Sequence, residues 1–184
     1  EVAAFSTYGY AVDFLAPGEG IYSTSGTDSS GYASNDGTSM ASPVAAGAAA
    51  LIQSKFNYTN PMQIGERLRQ TCDPLAITGV NNTDSLYKNG YLGKGRINVY
   101  RALTEQNLKS LVISPIAITD GGDDVFMPAE TLSISATFTN YLDALNNAVA
   151  TLSVASVSAG NAPQILGGGM FNLGPLATLA AKNN

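Results

Sequence analysis

The chain has 184 residues, 45% hydrophobic and 12% charged, with 14 Asp and Glu against 9 Lys and Arg for a net charge of −5. That composition supports a folded core rather than disorder, and the acidic balance argues against nucleic acid, which asks for basic patches. No run of about 18 or more apolar residues is present, so no transmembrane segment is expected. Residues 1 to 35 read as short strands and turns. Tyr10 to Ala16 carries strand formers and ends on the turn signal Pro17-Gly18. Ile21 to Ser25 is a second strand candidate, and Gly31 to Ser34 can pair back on it as a hairpin.

Residues 39 to 56 predict one helix. Ala and Gly fill nearly every position from Ala45 to Ala50, with no polar face before Gln53. A helix apolar all round is expected to be buried, here through the domain centre. Pro43 falls early enough for its missing N–H to cost little. Asn60-Pro61 predicts the start of a second helix. On it Met62, Ile64, Leu68 and Cys72 form an apolar stripe, with Glu66, Arg67 and Arg69 outside. Cys72 is the only cysteine, cannot form an internal disulfide, and reads as a small core residue. A polar connection follows to residue 92, and Ile97 to Leu103 predicts a short amphipathic helix.

The beginning of the first helix draws attention for its chemistry. Gly37-Thr38-Ser39-Met40-Ala41-Ser42-Pro43 places a serine where helix N–H groups lack partners and the dipole is positive. An oxyanion beside Ser39 would meet ready donors. The plain alternative is that Thr38 or Ser39 is a helix cap and nothing more.

The whole string resembles the nucleophile motif of the subtilisin-like serine proteases. Ala4 to Gly9, Val12 to Gly18, Ile21 to Thr24, Gly47 to Ile52 and Gly93 to Val99 resemble further segments of that family, in the family's order, over about residues 1 to 104. The resemblance implies that Ser39 is the nucleophile and its own N–H one oxyanion donor. It also implies that Asn35 and Asp36 border the leaving-group side of a cleft, with Gly37 and Thr38 beside them. For Asp36 a solvated loop carboxylate is an equal alternative. Asp13 sits in the Val-Asp-x-x-Ala-Pro-Gly segment and so is not the triad aspartate.

One count stands against activity: the chain contains no histidine. A serine hydroxyl is a weak nucleophile until a base takes its proton. In the family that base is a histidine oriented by an aspartate, both upstream of the serine. Lys55, Lys88 and Lys94 could in principle serve a Ser-Lys arrangement, but the motifs are those of the triad enzymes. The expectation is therefore a C-terminal part of a larger protease, inactive by itself, whose partners are protein or peptide substrates and the upstream part of the same domain. No cofactor is required. The family resemblance implies a secreted or cell-surface protein. A non-catalytic scaffold, or a tail that is itself a binding module, is the alternative.

The pattern changes near Lys109. Residues 111–113, 116–119, 131–138 and 149–154 are strand-like, and Leu132, Ile134, Ala136 and Phe138 alternate with Ser and Thr as in a half-buried strand. The turn spacing suits an antiparallel β-sandwich. Residues 120 to 140 resemble the start of immunoglobulin-like modules that follow the catalytic domain in some bacterial secreted proteases. The acids Asp120, Asp123 and Asp124, with Glu130 nearby, are hard oxygen ligands suited to structural Ca²⁺; a solvated turn is the alternative. The expected architecture is α/β. Residues 1–108 supply the C-terminal part of a subtilisin-like parallel-sheet domain, and residues 109–184 a β-sandwich-like domain without a clear final strand.

Overall fold

A computed structural model describes residues 2–26, 29–75, 90–123, 125–127, 130–154 and 164–184. The chain divides into two compact units, Glu1–Leu108 and Lys109–Asn184.

In the first unit, β1 (Ile21–Thr24) and β2 (Tyr32–Asn35) form an antiparallel hairpin with Tyr22 opposite Ser34 and Thr24 opposite Tyr32. Tyr22 and Tyr32 stack diagonally across it, ring centres 5.6 Å apart. Helix α1 (Thr38–Phe56) follows and stops at Asn57, whose left-handed φ of 50° lets its N–H close on Gln53 O. Helix α2 (Pro61–Gln70) starts on Asn60, which accepts the Met62 N–H at 2.9 Å while Gln63 accepts the Asn60 N–H at 3.3 Å. Helix α3 (Val99–Thr104) begins two residues later than expected because Asn98 caps it, accepting the Arg101 N–H at 3.0 Å.

Three expectations for these helices need correction. First, α1 is not buried all round. Ala48 and Ile52 join Leu68, Cys72, Ile97 and Ala102 in the core, with Val44, Ala45, Ala49 and Phe56 beside them. That is one face at fourfold spacing; Ala46, Gly47 and Ala50 are exposed and Leu51 is 53% exposed, because α2 and α3 cover only one side. Second, the α2 stripe is rotated. Met62 is exposed, whereas Glu66 and Arg67 are buried. Arg67 lies 3.8 Å over the Phe56 ring and donates to Ala102 O and Glu105 O at 2.5 Å each and to the Tyr58 hydroxyl at 3.1 Å. Glu66 pairs with Arg69 at 2.5 Å. Satisfied charges can enter a core that periodicity alone reserves for apolar residues. Third, Pro43 is the sixth residue of α1, so its ring stands where an N–H would have bonded Ser39 O.

The candidate strand Tyr10 to Ala16 is reduced to a single parallel bridge between Leu15 and Arg96, the only parallel pairing among the described residues. Leu15 donates to Gly95 O and accepts from Ile97 N, while Arg96 pairs on its other side with Asp73. The segment threads between two backbones, which explains its glycines. At Gly93 (φ 62°) a Cβ would overlap the Asp13 carbonyl, and at Gly95 (φ 110°) the Asp73 carbonyl.

In the second unit, β3 (Leu111–Thr119), β4 (Ser133–Asn140) and β7 (Ala181–Asn183) form an antiparallel sheet in the order β3-β4-β7. The strands β5 (Leu145–Thr151) and β6 (Met170–Leu176) form an antiparallel pair. Both contribute to one small core of Phe138, Ala148, Leu173 and Leu176. Asn140 is buried at the corner and donates to the carbonyls of Asp143, Leu176 and Ala177 at 3.1, 3.1 and 3.2 Å. Two boundaries differ from expectation. The fifth strand lies earlier than residues 149–154, and a final strand exists. That final strand, β7, was illegible because polar residues make it: Asn183 accepts from Thr137 Oγ1 at 2.8 Å, and Asn184 accepts the Ala136 N–H at 2.5 Å.

Candidate active site

Ser39 is placed by a backbone clamp. The loop after Pro17 runs beside the end of β2: Gly37 donates its N–H to Gly18 O at 2.7 Å, and Gly20 donates its N–H to Asp36 Oδ1 at 2.6 Å. Gly37 is the N-cap, at φ 145° and ψ 162°, and its carbonyl accepts from Met40 N and Ala41 N at 3.0 and 3.3 Å. At Gly18 a Cβ would lie 2.8 Å from Gly37 O and 3.2 Å from the Ala41 Cβ, so only glycine admits this approach. Neither Thr38 nor Ser39 is the cap. The cap is Gly37, without a side-chain bond, and Ser39 is the exposed second residue of α1.

The consequence is chemical. Met40 spends its N–H on Gly37 O, but the N–H groups of Thr38 and Ser39 have no helical acceptor and no capping side chain. They form a small positive terminus next to the Ser39 hydroxyl, an arrangement able to hold an oxyanion. Asn35 and Asp36, both exposed, lead into this terminus from the end of β2, followed by Gly37 and Thr38. Asp36 therefore has one oxygen committed to the clamp.

Among the described residues no base is seen to accompany the serine. Lys55 lies sixteen residues along the same helix, roughly 24 Å away at 1.5 Å per residue. Lys88 falls outside the described residues, and Lys94, on the glycine-flanked thread, donates its backbone N–H to Asp13 O at 2.9 Å. Asp13 faces Arg69, 3.4 Å from its Nε. Cys72 is no rival nucleophile. Its thiol donates to Leu68 O at 3.2 Å, and burial, helped by the Asp73 charge, pushes it up to about 11.

A polar network joining the end of α2 to α3 was not foreseen. The Asp73 carboxylate accepts twice from Asn98 Nδ2 at 3.0 Å and approaches Arg101 and Arg96 at 3.5 Å. Those bonds, led by Asn98, hold its carboxyl below the usual range. Arg101 also donates to Cys72 O at 2.8 Å and to Glu105 at 2.6 Å. Its role is to tie α3 to the end of α2. The signal that could have found its anchor is Asn98 placed directly before Val99, as a helix cap. At the acidic turn, Asp120 and Asp123 turn oxygens to the loop's own amides, Gly122 N at 2.8 Å and Val125 N at 3.1 Å. Asp124 lies outside the described residues, and among those described no three acidic or thiol side chains converge as a metal cage.

Comparison with known proteins agrees with the family resemblance of the first unit. Residues 1–91 match the model of the subtilase family, Peptidase_S8. Thermitase of Thermoactinomyces vulgaris is 42% identical over 101 residues, 55% of this chain and 31% of the relative. Subtilisin DY of Bacillus licheniformis is 44% identical over 100 residues, 54% of this chain and 32% of the relative. A thermophilic serine proteinase of Bacillus sp. (strain AK1) is 42% identical over 103 residues, 56% and 22% respectively. At family level the first unit is thus similar to subtilisin-type serine peptidases, and the chain spans about a third or less of the length of the curated relatives it matches. No helix among the described residues is long and apolar enough to cross a membrane.

Proposed function

We propose that residues 1–108 are part of a subtilisin-type serine endopeptidase that hydrolyses peptide bonds through an acyl-enzyme on Ser39. The observation that carries this reading is the placement of Ser39, exposed on the second residue of a helix whose cap, Gly37, has no side chain to occupy the first N–H groups. The similarity to named proteases supports it. In the first step Oγ attacks the scissile carbonyl carbon and its proton passes to a base. The developing oxyanion meets the Ser39 N–H, the amine leaves with a proton, and water then hydrolyses the ester. With no histidine in the chain, a triad base and its orienting carboxylate would come from residues outside these 184. The upstream part of the same domain is their source, and it also covers the exposed side of α1. Asn35, Asp36, Gly37 and Thr38 line the substrate's path beside Ser39.

On this reading the substrate is a protein or peptide, the chemistry calls for no cofactor, and the protein works outside the cell or at its surface. Residues 109–184 are an immunoglobulin-like accessory module of sandwich type, in line with their antiparallel sheets. The test is casein hydrolysis by the intact protein against its Ser39→Ala variant. A fall of about 10³-fold or more is expected. Undiminished hydrolysis by the variant overturns the assignment of Ser39. An intact, folded protein that hydrolyses nothing favours a non-catalytic scaffold.

A further inference from the structure

Among the described residues of the second unit, an apolar face runs on beyond the core it helps to build. Leu132, Ile134, Ala136 and Phe138 share a face in and beside β4. Exposure climbs along it, from 4% at Phe138 to 39% at Ile134 and 44% at Leu132. On β3, Ile118 is the register partner of Ile134 and Ile116 that of Ala136, so two more exposed isoleucines extend the same face. Past this end of the hairpin, Val125, Phe126 and Met127 are exposed as well.

The connection that bears them is braced by carboxylates. Asp123 accepts the Val125 N–H at 3.1 Å and Glu130 the Met127 N–H at 2.7 Å, while Asp120 accepts from Gly122. These bonds fix the backbone on both sides of Phe126 while the apolar side chains stay in solvent. The charge of this region is one-sided. From Ser110 to Leu142 the sequence has Asp120, Asp123, Asp124 and Glu130 and not one Lys or Arg.

We propose that this end of the second unit is a docking surface for a cationic amphipathic protein segment. Its apolar side chains would cover Ile116, Ile118, Leu132 and Ile134, and its Lys or Arg residues would meet the acidic rim. Charge complementarity selects this occupant. A second copy would set carboxylates against carboxylates, and an anionic lipid surface would be repelled by the same rim. A large exposed apolar patch with a polar rim marks an interaction site rather than ordinary surface.

The test uses the intact protein and two fluorescein-labelled helical peptides of about 18 residues with identical leucine faces, one with lysine and one with glutamate on the polar face. Fluorescence anisotropy should show the lysine peptide binding at least about ten-fold tighter, an advantage that shrinks as salt rises from about 20 to about 300 mM. The pair Ile118→Ser and Ile134→Ser should weaken it by about ten-fold or more. Asp120→Asn with Asp123→Asn keeps the turn acceptors but removes charge, and should erase the preference while leaving the unfolding midpoint unchanged. Equal binding of the two peptides, binding indifferent to the isoleucines, or no saturable binding overturns the proposal. So does isoleucine-dependent self-association in sedimentation, which would give the surface to a second copy, or a preference for anionic vesicles.

Discussion

The glycine thread of the first unit and the β3–β4 hairpin of the second are both built from short extended segments, yet different forces specify them. Residues 93–97 pass between Leu15 and Asp73, bonded on both sides, and Gly93 and Gly95 have backbone where a side chain would be. That segment is determined by backbone contact and tolerates almost no change. The hairpin is determined by side-chain alternation, and its burial fades from Phe138 to Leu132 within one strand. Backbone contact leaves a sharp motif in a sequence. Alternation tells which side chains share a face, but not what covers that face.

The comparison can be broken most severely at the thread. Gly93→Ala or Gly95→Ala forces a Cβ into a carbonyl at positive φ, and each should cost about 4 kcal/mol or more, read as loss of soluble folded protein. Gly47, in α1 with nothing within 4 Å of an added Cβ, is the control, and Gly47→Ala should stabilise by about 0.5–1 kcal/mol in a denaturant titration. Next comes Arg67→Ala, which strands the buried carbonyl of Ala102 and the partly buried one of Glu105 and uncovers Phe56. A loss of about 3–5 kcal/mol is expected, with little rescue by Arg67→Lys, whose single ammonium cannot reproduce the fork.

Within the hairpin the expected effects are graded. Phe138→Ala should cost about 3–5 kcal/mol, and Ile134→Ala, on the same face of the same strand, about 1 kcal/mol or less. Equal midpoint shifts for the two would contradict the burial gradient. The smallest effects are those of pH. Asp73 has a depressed carboxyl in the folded state, so its contribution is present above the ordinary value of 3.8 and is lost as pH falls through the lower folded value. Asp73→Asn should flatten acid unfolding in that window. Cys72 behaves oppositely. Raised to about 11, its neutral thiol favours the fold below the ordinary 9.0, and this is lost as pH rises from 9.0 toward 11. Native protein at pH about 8 should therefore resist thiol reagents that label it once unfolded.

Much of the first unit was legible because its signals are local. The Asn60-Pro61 helix start, the β1–β2 hairpin and the long small-residue helix all announce themselves within a few residues. The candidate site was legible as a motif at Ser39, but its support was not. Gly18 and Gly20 act through backbone atoms on residues 36 and 37, a contact across sixteen to nineteen positions that leaves no spacing to read. Arg67 was misplaced because periodicity sorts residues by polarity, and a guanidinium with all its partners on carbonyls, a phenol and a ring behaves as core. The strand β7 was missed because its pairing rests on backbone and asparagine amides rather than apolar alternation.

The central claim is that Ser39 is a nucleophile without its base in this chain. It is tested most directly by a fluorophosphonate probe, with the modified residue located by mass spectrometry. The 184-residue chain should not label, because no histidine is present to take the proton. The intact protein should label at Ser39 and lose the label in Ser39→Ala. Labelling of the isolated chain at Ser39 would contradict the account, since the base would then lie among these residues.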